Sequence, residues 1–594
     1  MSKVGDFLDE RIGHRQRLRA WLDTPIAGGA RWAYVFGTTL TLLFVLQAVT
    51  GIVLMTGYAP SAQSAWASVV WLQSATRGGW LVRGLHAFGT QAIILVLGAH
   101  LLQVALYGAY KRPREITWWT GLLLLALTLT FALTGNPLRW DQRGYWAMRV
   151  ETGIAGGVPV IGSRLQSFLL GGDDYGSLTL TRFHALHVAV LPIALGLLFL
   201  LHRALAKKQG PTPPATADQA KTEPTVKQLA RDLAFALFVL VVVFACTLKE
   251  HGAPIDAPAD AASDYVARPE WYFAALFELR KHFHGSAEMV GTLVLPGLAG
   301  AYLFALPFFD KKASRALRPR LPVLTPLFVG VISVVLLTYM SSRADARDPG
   351  LAKARARQTK RAAVAVRLAE RGVPASGPLV MLANDPELRG ESIFRDKCAS
   401  CHVLGELGDR AKNSAPVLDG WGTAAWARSM LHNPDDDARF GKTAYAGEMP
   451  SMDTPSKDKP DMKPMPKTEI DAVVAFLASE GTGTPSTNPA VAAGEKIVKD
   501  RCTSCHLYQG EGDDADEGIA PELSGWGSRA WIAAQVANPA TKATYRENAL
   551  DPKRKGHMPR MDRELSPADI ALVADWTYAH ARNPNGSAPR EPNP

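Results

Sequence analysis

Seven apolar runs, each in the length range that crosses a bilayer, constrain this chain more than any other feature. A span takes about 20 residues at 1.5 Å each, and about 17 is enough. Such runs lie near residues 32–58, 84–109, 117–138, 183–203, 232–248, 288–309 and 321–340, and none follows Met340. Lys and Arg gather in alternate connections: RIGHRQRLR before the first run, KRPRE at 111–115, KKQG at 207–210 and DKKASRALRPR at 310–320. The positive-inside rule therefore puts the N-terminus in the cytoplasm, and an odd number of crossings delivers the rest of the chain to the other face. The formal net charge of +10 belongs largely to these loops, which argues against a nucleic-acid partner. The first run follows a polar stretch and has no small-residue cleavage site, so it reads as a retained helix.

Between the fourth and fifth runs, KKQGPTPPATADQAKTEPT cannot pack as a helix and splits the bundle into four spans plus three. From Ser341 the charged, Ala-rich stretch LAKARARQTKRAAVAVRLAERG predicts a helical stalk, closed by GVPASGP. The remainder is an internal repeat. GESIFRDKCASCH, APVLDGWGTAAW and GEMPSMD recur in order as GEKIVKDRCTSCH, APELSGWGSRAW and GHMPRMD.

Histidines mark the second and fourth runs. His86 and His100 are 14 residues apart, and His187 and His202 are 15 apart, close to four helical turns in each case. Both runs cross in the same direction, so His86 levels with His187 and His100 with His202. An imidazole in hydrocarbon needs a partner, and haem iron takes two facing imidazoles. One such histidine alone is more often a packing residue, but four at matched depths are not. Gly37 and Gly51, and Gly121 and Gly135, repeat the 14-residue spacing on the first and third runs. Glycine inside a helix costs about 1 kcal/mol, and the close approach of a flat porphyrin explains that cost, although small-residue helix packing explains any single pair. Arg83 and Arg182 stand at the outer ends of their helices, placed either for haem propionates or as ordinary interfacial arginines.

Of the five cysteines, Cys398, Cys401, Cys502 and Cys505 belong to the CxxCH motifs, and only Cys246 is left over. Two thioethers bind the porphyrin edge and the next histidine turns back to the iron. A zinc site would need another Cys or His pair. His402 and His506 are thus the proximal ligands of two covalent haems.

Residues 1 to about 342 resemble cytochrome b of the quinol:cytochrome c oxidoreductases, the cytochrome bc complexes. The resemblance rests on the four histidines, the four glycines, GGDDYGSLTLTRFHALH, and ARPEWYF at 267–273. The four-plus-three break, the 14 residues between His187 and His202 and the lack of an eighth run are similar to the chloroplast type. That type has a cysteine for an extra haem where this chain has RWAYVFG, so no third haem is expected in the bundle. By this resemblance Glu270 of PEWY is the base that takes a proton from quinol, and Tyr272 lines the pocket. VETGIAGGVPVIGSRLQSFLLGG, residues 150–172, roofs it. The inner quinone site is weakly marked, with Lys207 as a candidate.

Residues 386–586 resemble class I c-type cytochromes. The resemblance implies that the Met of each MP pair, Met449 and Met558, is the sixth ligand, with Met452 and Met561 as alternatives. It also implies that the carbonyls of Pro416 and Pro521 orient the proximal histidines. Methionine raises the potential relative to a second histidine, which suits electron output. His184, His251, His282, His284, His432 and His557 are left as surface or packing residues.

The expected fold class is all-α: a seven-helix bundle followed by two small c-type domains. The expected boundaries are 1–210 for the four-helix core, 211–342 for the three-helix part, 343–385 for the stalk, and 386–484 and 485–594 for the c-type domains. The cofactors are two non-covalent b-type haems, two covalent c-type haems and quinone. The expected activity is quinol:cytochrome c oxidoreduction in a proton-translocating Q-cycle. Its setting is a bacterial cytoplasmic membrane, with the c-type domains on the periplasmic face. Partners are lipid, a Rieske-type iron–sulfur protein on a separate chain, a soluble c-type cytochrome or terminal oxidase, and by resemblance a second copy of the chain. The alternative is a multihaem conduit or anchor for a separate reductase, without quinol catalysis of its own.

Overall fold

The computed structural model describes residues 3–218, 220–455, 462–483, 486–512, 520–545 and 558–583. It divides into two compact units, Met1–Met381 and Leu382–Pro594.

Among the described residues, seven helices of the first unit are long and apolar enough to cross a membrane: Trp32–Met55, Gly79–Leu106, Glu115–Arg139, Ser177–Gln209, Thr225–Lys249, Val290–Phe309 and Leu317–Arg347. We call them spans one to seven; all seven expected runs are present. Little of their surface is buried in protein, and apolar side chains such as Val49, Leu197 and Val335 point outward, as lipid-facing helices require. Spans one, two and five share a core of Leu40, Leu43, Ile93, Val96, Leu97 and Val239. Span three packs on span four, and its Trp118 joins Leu306 of span six and Leu324 of span seven.

Span four is not a uniform helix. Pro192 has no N–H to donate and its ring crowds the carbonyl four residues back. The backbone opens into one π-turn at Leu186–Val190, on which His187 lies. That turn takes up one residue. A fifteenth ordinary residue would rotate His202 by about 100° away from the face set by a 14-residue spacing. With the turn absorbing it, His202 keeps the face that a 14-residue spacing would give.

The connections build one end of the bundle. Buried Asp141 caps the helix Gln142–Gly156 by accepting from Gly144 N at 2.8 Å, and its other oxygen accepts from Asp256 N at 3.1 Å. Gln142 N donates to Ala257 O and Trp66 Nε1 to Asp256 O, both at 2.8 Å, so the 253–260 loop is fastened to this helix. A second helix, Gly162–Leu170, packs on the first, so two short helices run through the 150–172 segment. The stalk sequence forms the helix Pro349–Ala369, capped by Asp348. It folds back onto the loop through Arg361 to Asp260 at 3.1 Å, while Asp345 takes Arg355 at 2.7 Å and Arg268 at 2.9 Å. The Pro-rich connector ends in a three-residue strand, Thr222–Pro224, which pairs antiparallel with Pro25–Ala27 ahead of span one.

The second unit has one continuous core that draws on both sequence repeats. The helix before the first CxxCH, Pro386–Ile393, packs on the last helix, Pro567–Arg582, where Phe394 meets Trp576 at 5.2 Å between ring centres. Reciprocally, Lys467–Glu480 of the first repeat packs on Pro489–Ile497 of the second, and Phe476 meets Tyr508 at 5.4 Å. Each repeat thus completes its core with a helix of the other. Lys397 to Glu564 and Arg501 to Glu469, at 2.7 and 2.9 Å, repeat the exchange in ion pairs.

Candidate haem and quinol sites

His86 and His187 face each other with ring centres 6.4 Å apart. Two metal–imidazole bonds of about 2 Å, each with about 1.2 Å from nitrogen to ring centre, span about the same distance. Hydrogen bonds set the tautomer. Thr50 Oγ1 donates to Leu46 O at 2.7 Å, so toward His86 Nδ1, 2.9 Å away, it can only accept. Thr134 does the same for His187, donating to Thr130 O at 2.9 Å and accepting from Nδ1 at 3.1 Å. Thr120 donates to Thr117 O and accepts from His202 Nδ1, both at 2.9 Å. Each Nδ1 carries the proton and each Nε2 keeps its lone pair for a metal.

His100 is close enough to His202 to interact with it electrostatically, but its buried Nδ1 has no partner among the described residues. The threonines precede Gly51, Gly121 and Gly135, whereas Phe36 precedes Gly37. Gly51, Gly121 and Gly135 lie against the Cε1 edges of His86, His202 and His187, while Gly37 faces open space. Ring clearance therefore gives three of the four glycines a reason within the protein itself.

The two arginines bind neighbouring backbone. Arg83 is buried and donates to Gln73 Oε1, to the Ala253 carbonyl and to Pro254 O, the last at 2.8 Å. Arg182 donates to the carbonyls of Ser167 and Phe168 and lies 5.2 Å over the Phe168 ring. Lys207 is exposed near the end of span four.

In the second unit His402 Nδ1 donates to Pro416 O at 2.9 Å and His506 Nδ1 to Pro521 O at 2.8 Å. A carbonyl only accepts, so Nδ1 carries the proton in both rings and Nε2 is the nitrogen whose lone pair can ligate. None of the four motif cysteines is in a disulfide; Cys398 and Cys502 are half-buried, and Cys401 and Cys505 are exposed. Met449, Met452 and Met558 are half-buried against the shared core, and Met561 lies within it. Gln535 Nε2 donates toward Met558 Sδ at 3.6 Å. His557 lies outside the described residues.

The PEWY segment is anchored to span two, where Trp271 Nε1 donates to Gln91 Oε1, five residues beyond His86. Glu270 Oε1 lies 3.9 Å from both Arg139 Nη2 and Arg143 Nη1. Burial pushes the Tyr272 phenol up, with the charge of Glu270 adding to it. Beside Pro269 is a cavity of about 450 Å³, lined by Arg139, Arg143, Asp256, Tyr265 and, from the folded-back helix, Arg355. Sequence reasoning missed Arg139, Arg143 and the three threonines. A threonine directly before three of the four evenly spaced glycines was the available signal for the threonines.

These features define a multi-pass membrane protein built to hold haem. Residues 22–210 match the family Cytochrome b/b6/petB, residues 260–354 match Cytochrome b(C-terminal)/b6/petD, and residues 388–480 and 491–577 match Cytochrome c. The cytochrome b6 of Synechococcus elongatus is 36% identical over 210 residues, 35% of this chain and 98% of that protein. The cytochrome b6 of Acaryochloris marina is 35% identical over the same extent. A solved structure described as a hyperthermophilic respiratory Complex III aligns with TM-score 0.51 and 26% identity, covering 59% of this chain and 93% of that one. The chain belongs to the cytochrome b/b6 family and carries a cytochrome c module fused to its C-terminal side. This supports haem cofactors and an oxidoreductase role in electron transfer within a multisubunit bc-type complex.

Proposed function

We propose that this chain is the quinol-oxidising subunit of a quinol:cytochrome c oxidoreductase. It holds two b-type haems at His86/His187 and His100/His202, and two c-type haems at Cys398, Cys401, His402 and at Cys502, Cys505, His506. Met449 and Met558 are the sixth ligands of the c-type pair. The haems supply one-electron transfer, which lets a Q-cycle divide the two electrons of quinol between a cross-membrane and an outward path. An iron–sulfur protein on another chain accepts the outward electron, since Cys246 alone could not hold a cluster. A soluble c-type cytochrome or terminal oxidase takes it from the fused module.

The observation that carries the reading is Glu270 itself, placed beside Tyr272 on a segment tied to the span of His86, with Arg139 and Arg143 facing it at 3.9 Å. Quinol lies under the helix pair Gln142–Gly156 and Gly162–Leu170. Its hydroxyl gives a proton to Glu270, which turns toward the arginines and releases it through the 450 Å³ cavity. Tyr272, its phenol held protonated by burial, serves only as a donor. The positive-inside pattern supports the outer face as the side of this chemistry.

The test is decylquinol-dependent reduction of a c-type cytochrome by the purified complex, wild type against Glu270→Gln. The expected result is loss of turnover by about 10²-fold or more, the lower end of what a general base contributes, with b and c haem spectra unchanged. Unaltered turnover would overturn the assignment and favour a conduit whose catalytic site is on another subunit.

A further inference from the structure

A second carboxylate, Glu151, lies near enough to Tyr272 for its charge to act on the phenol, and no step of the proposed function uses it. Glu151 is on the helix Gln142–Gly156, eight residues or about 12 Å along the axis from Arg143. Its Oε2 is closed off from solvent and has no hydrogen-bond partner, and Glu151 forms no ion pair among the described residues. The cations on its own and neighbouring elements are engaged elsewhere. Arg139 faces Asp141 and Glu270, Arg143 faces Glu270, and Arg149 lies over the rings of Tyr145, Trp146 and Tyr175. Arg164, on the packed helix Gly162–Leu170, is exposed. The phenol of Tyr272 feels the charge of Glu151, and it also feels that of Glu270. A buried, unpaired carboxyl is a cost that packing alone does not explain, and such groups cluster where protons are handled.

The geometry points to Glu151 as a second proton acceptor for quinol, grouped with Glu270 around Tyr272. This rests on the quinol-oxidising reading proposed above. In the step, the O–H bond of a quinol hydroxyl breaks, the proton passes to Oε2 of ionised Glu151, and the electron pair stays on the quinol oxygen. The products are a quinolate anion and a neutral carboxyl, so no oxidant enters. Two acceptors match a substrate that loses two protons.

Burial pushes the Glu151 carboxyl up to about 8. A carboxyl that must be ionised to act gains activity as pH rises through that value. The ionised fraction goes from about one tenth at pH 7 to about nine tenths at pH 9. Tyr272 stays protonated across this range, because burial pushes its phenol up as well.

The experiment uses the purified holo-complex with decylquinol as substrate from pH 6 to 9.5, in wild type, Glu151→Gln, Glu151→Asp and Glu270→Gln. The expected result is that the wild-type to Glu151→Gln activity ratio climbs about tenfold between pH 7 and 9, and that Glu151→Asp keeps the climb. A carboxyl C=O infrared band should fade over the same interval in wild type and be missing in Glu151→Gln. Superimposable pH profiles for wild type and Glu151→Gln overturn the inference. So does a wild-type spectrum with no carboxyl band titrating near pH 8, which decides the matter even if Glu151→Gln fails to assemble. If Glu270→Gln loses turnover while Glu151→Gln keeps the wild-type profile, only the role of Glu151 falls. If wild type oxidises no quinol, both readings fall.

Discussion

The four interior glycines make a graded prediction for Gly→Ala substitution. A Cβ at Gly135 would meet His187 Cε1 at 2.7 Å, those at Gly51 and Gly121 would meet His86 and His202 Cε1 at 3.3 Å, and one at Gly37 would meet nothing within 4 Å. Carbon atoms rest at about 3.5–4.0 Å, so Gly135→Ala must push the His187 ring by about 1 Å, while Gly51→Ala and Gly121→Ala ask for a few tenths. His187 has little room to move. Phe131 stands edge-on at 5.3 Å between ring centres, and Thr134 holds Nδ1 at 3.1 Å. Overpacking of this kind costs about 1–3 kcal/mol, a factor of roughly 5 to 150 in haem retention. The assay is the ratio of b to c haem in the pyridine haemochrome spectrum, with the covalent haems of the same chain as internal standard. The expected order of b-haem loss is Gly135→Ala first, then Gly51→Ala and Gly121→Ala together, with Gly37→Ala last. If Gly37→Ala depleted b haem as severely as Gly135→Ala, the reasoning would be refuted and the glycines would serve porphyrin approach instead of ring clearance.

Two further predictions concern the threonines and the interlocked module. Removing the Nδ1 acceptor with Thr134→Val should raise the midpoint potential of one b haem, because the bond is stronger when the iron is oxidised. A bond worth about 1 kcal/mol corresponds to about 40 mV. Redox titration should show Thr50→Val adding to the same haem and Thr120→Val moving the other; all three moving one haem would break the pairing. Trp576→Ala should destabilise the region of the first CxxCH although it lies in the second repeat, by about 3–5 kcal/mol for a large core aromatic. Thermal scans of the full chain followed in the c-type Soret band should show both haems melting together, and a first haem with unchanged stability would mean that the repeats are independent.

The spans and their histidines were legible because lipid leaves a strong mark on sequence. Length, charge asymmetry and the cost of a buried imidazole all survive without knowledge of packing. The threonines were not, because a hydroxyl in a membrane helix can always bond back to its own i−4 carbonyl and needs no further partner. The π-turn was hidden in a count. A separation of fifteen from His187 to His202 looked like four turns, and only Pro192 hinted that one residue was taken up in a wider turn. The repeat revealed two copies of one pattern but not which copy each helix would pack on. Duplicated helices present nearly equivalent faces, so Phe394 can meet Trp576 across the repeats without any change in the motif.

Arg139 and Arg143 show why the proposed quinol pocket was only half readable. Charged residues in a loop next to a membrane span are ordinarily solvated, and nothing in NPLRWDQRGYW marks them as exceptions. What draws them inward is Asp141, which the capping of Gln142–Gly156 and the anchoring of the 253–260 loop leave with no exposed surface. A buried carboxylate calls for a nearby cation, and Arg139 approaches it at 3.4 Å while its other nitrogen faces Glu270. The same guanidinium therefore serves the fold on one side and the proposed base on the other. Replacing it with a neutral residue would disturb both, so the role of Glu270 is better tested at Glu270 itself than through its partners.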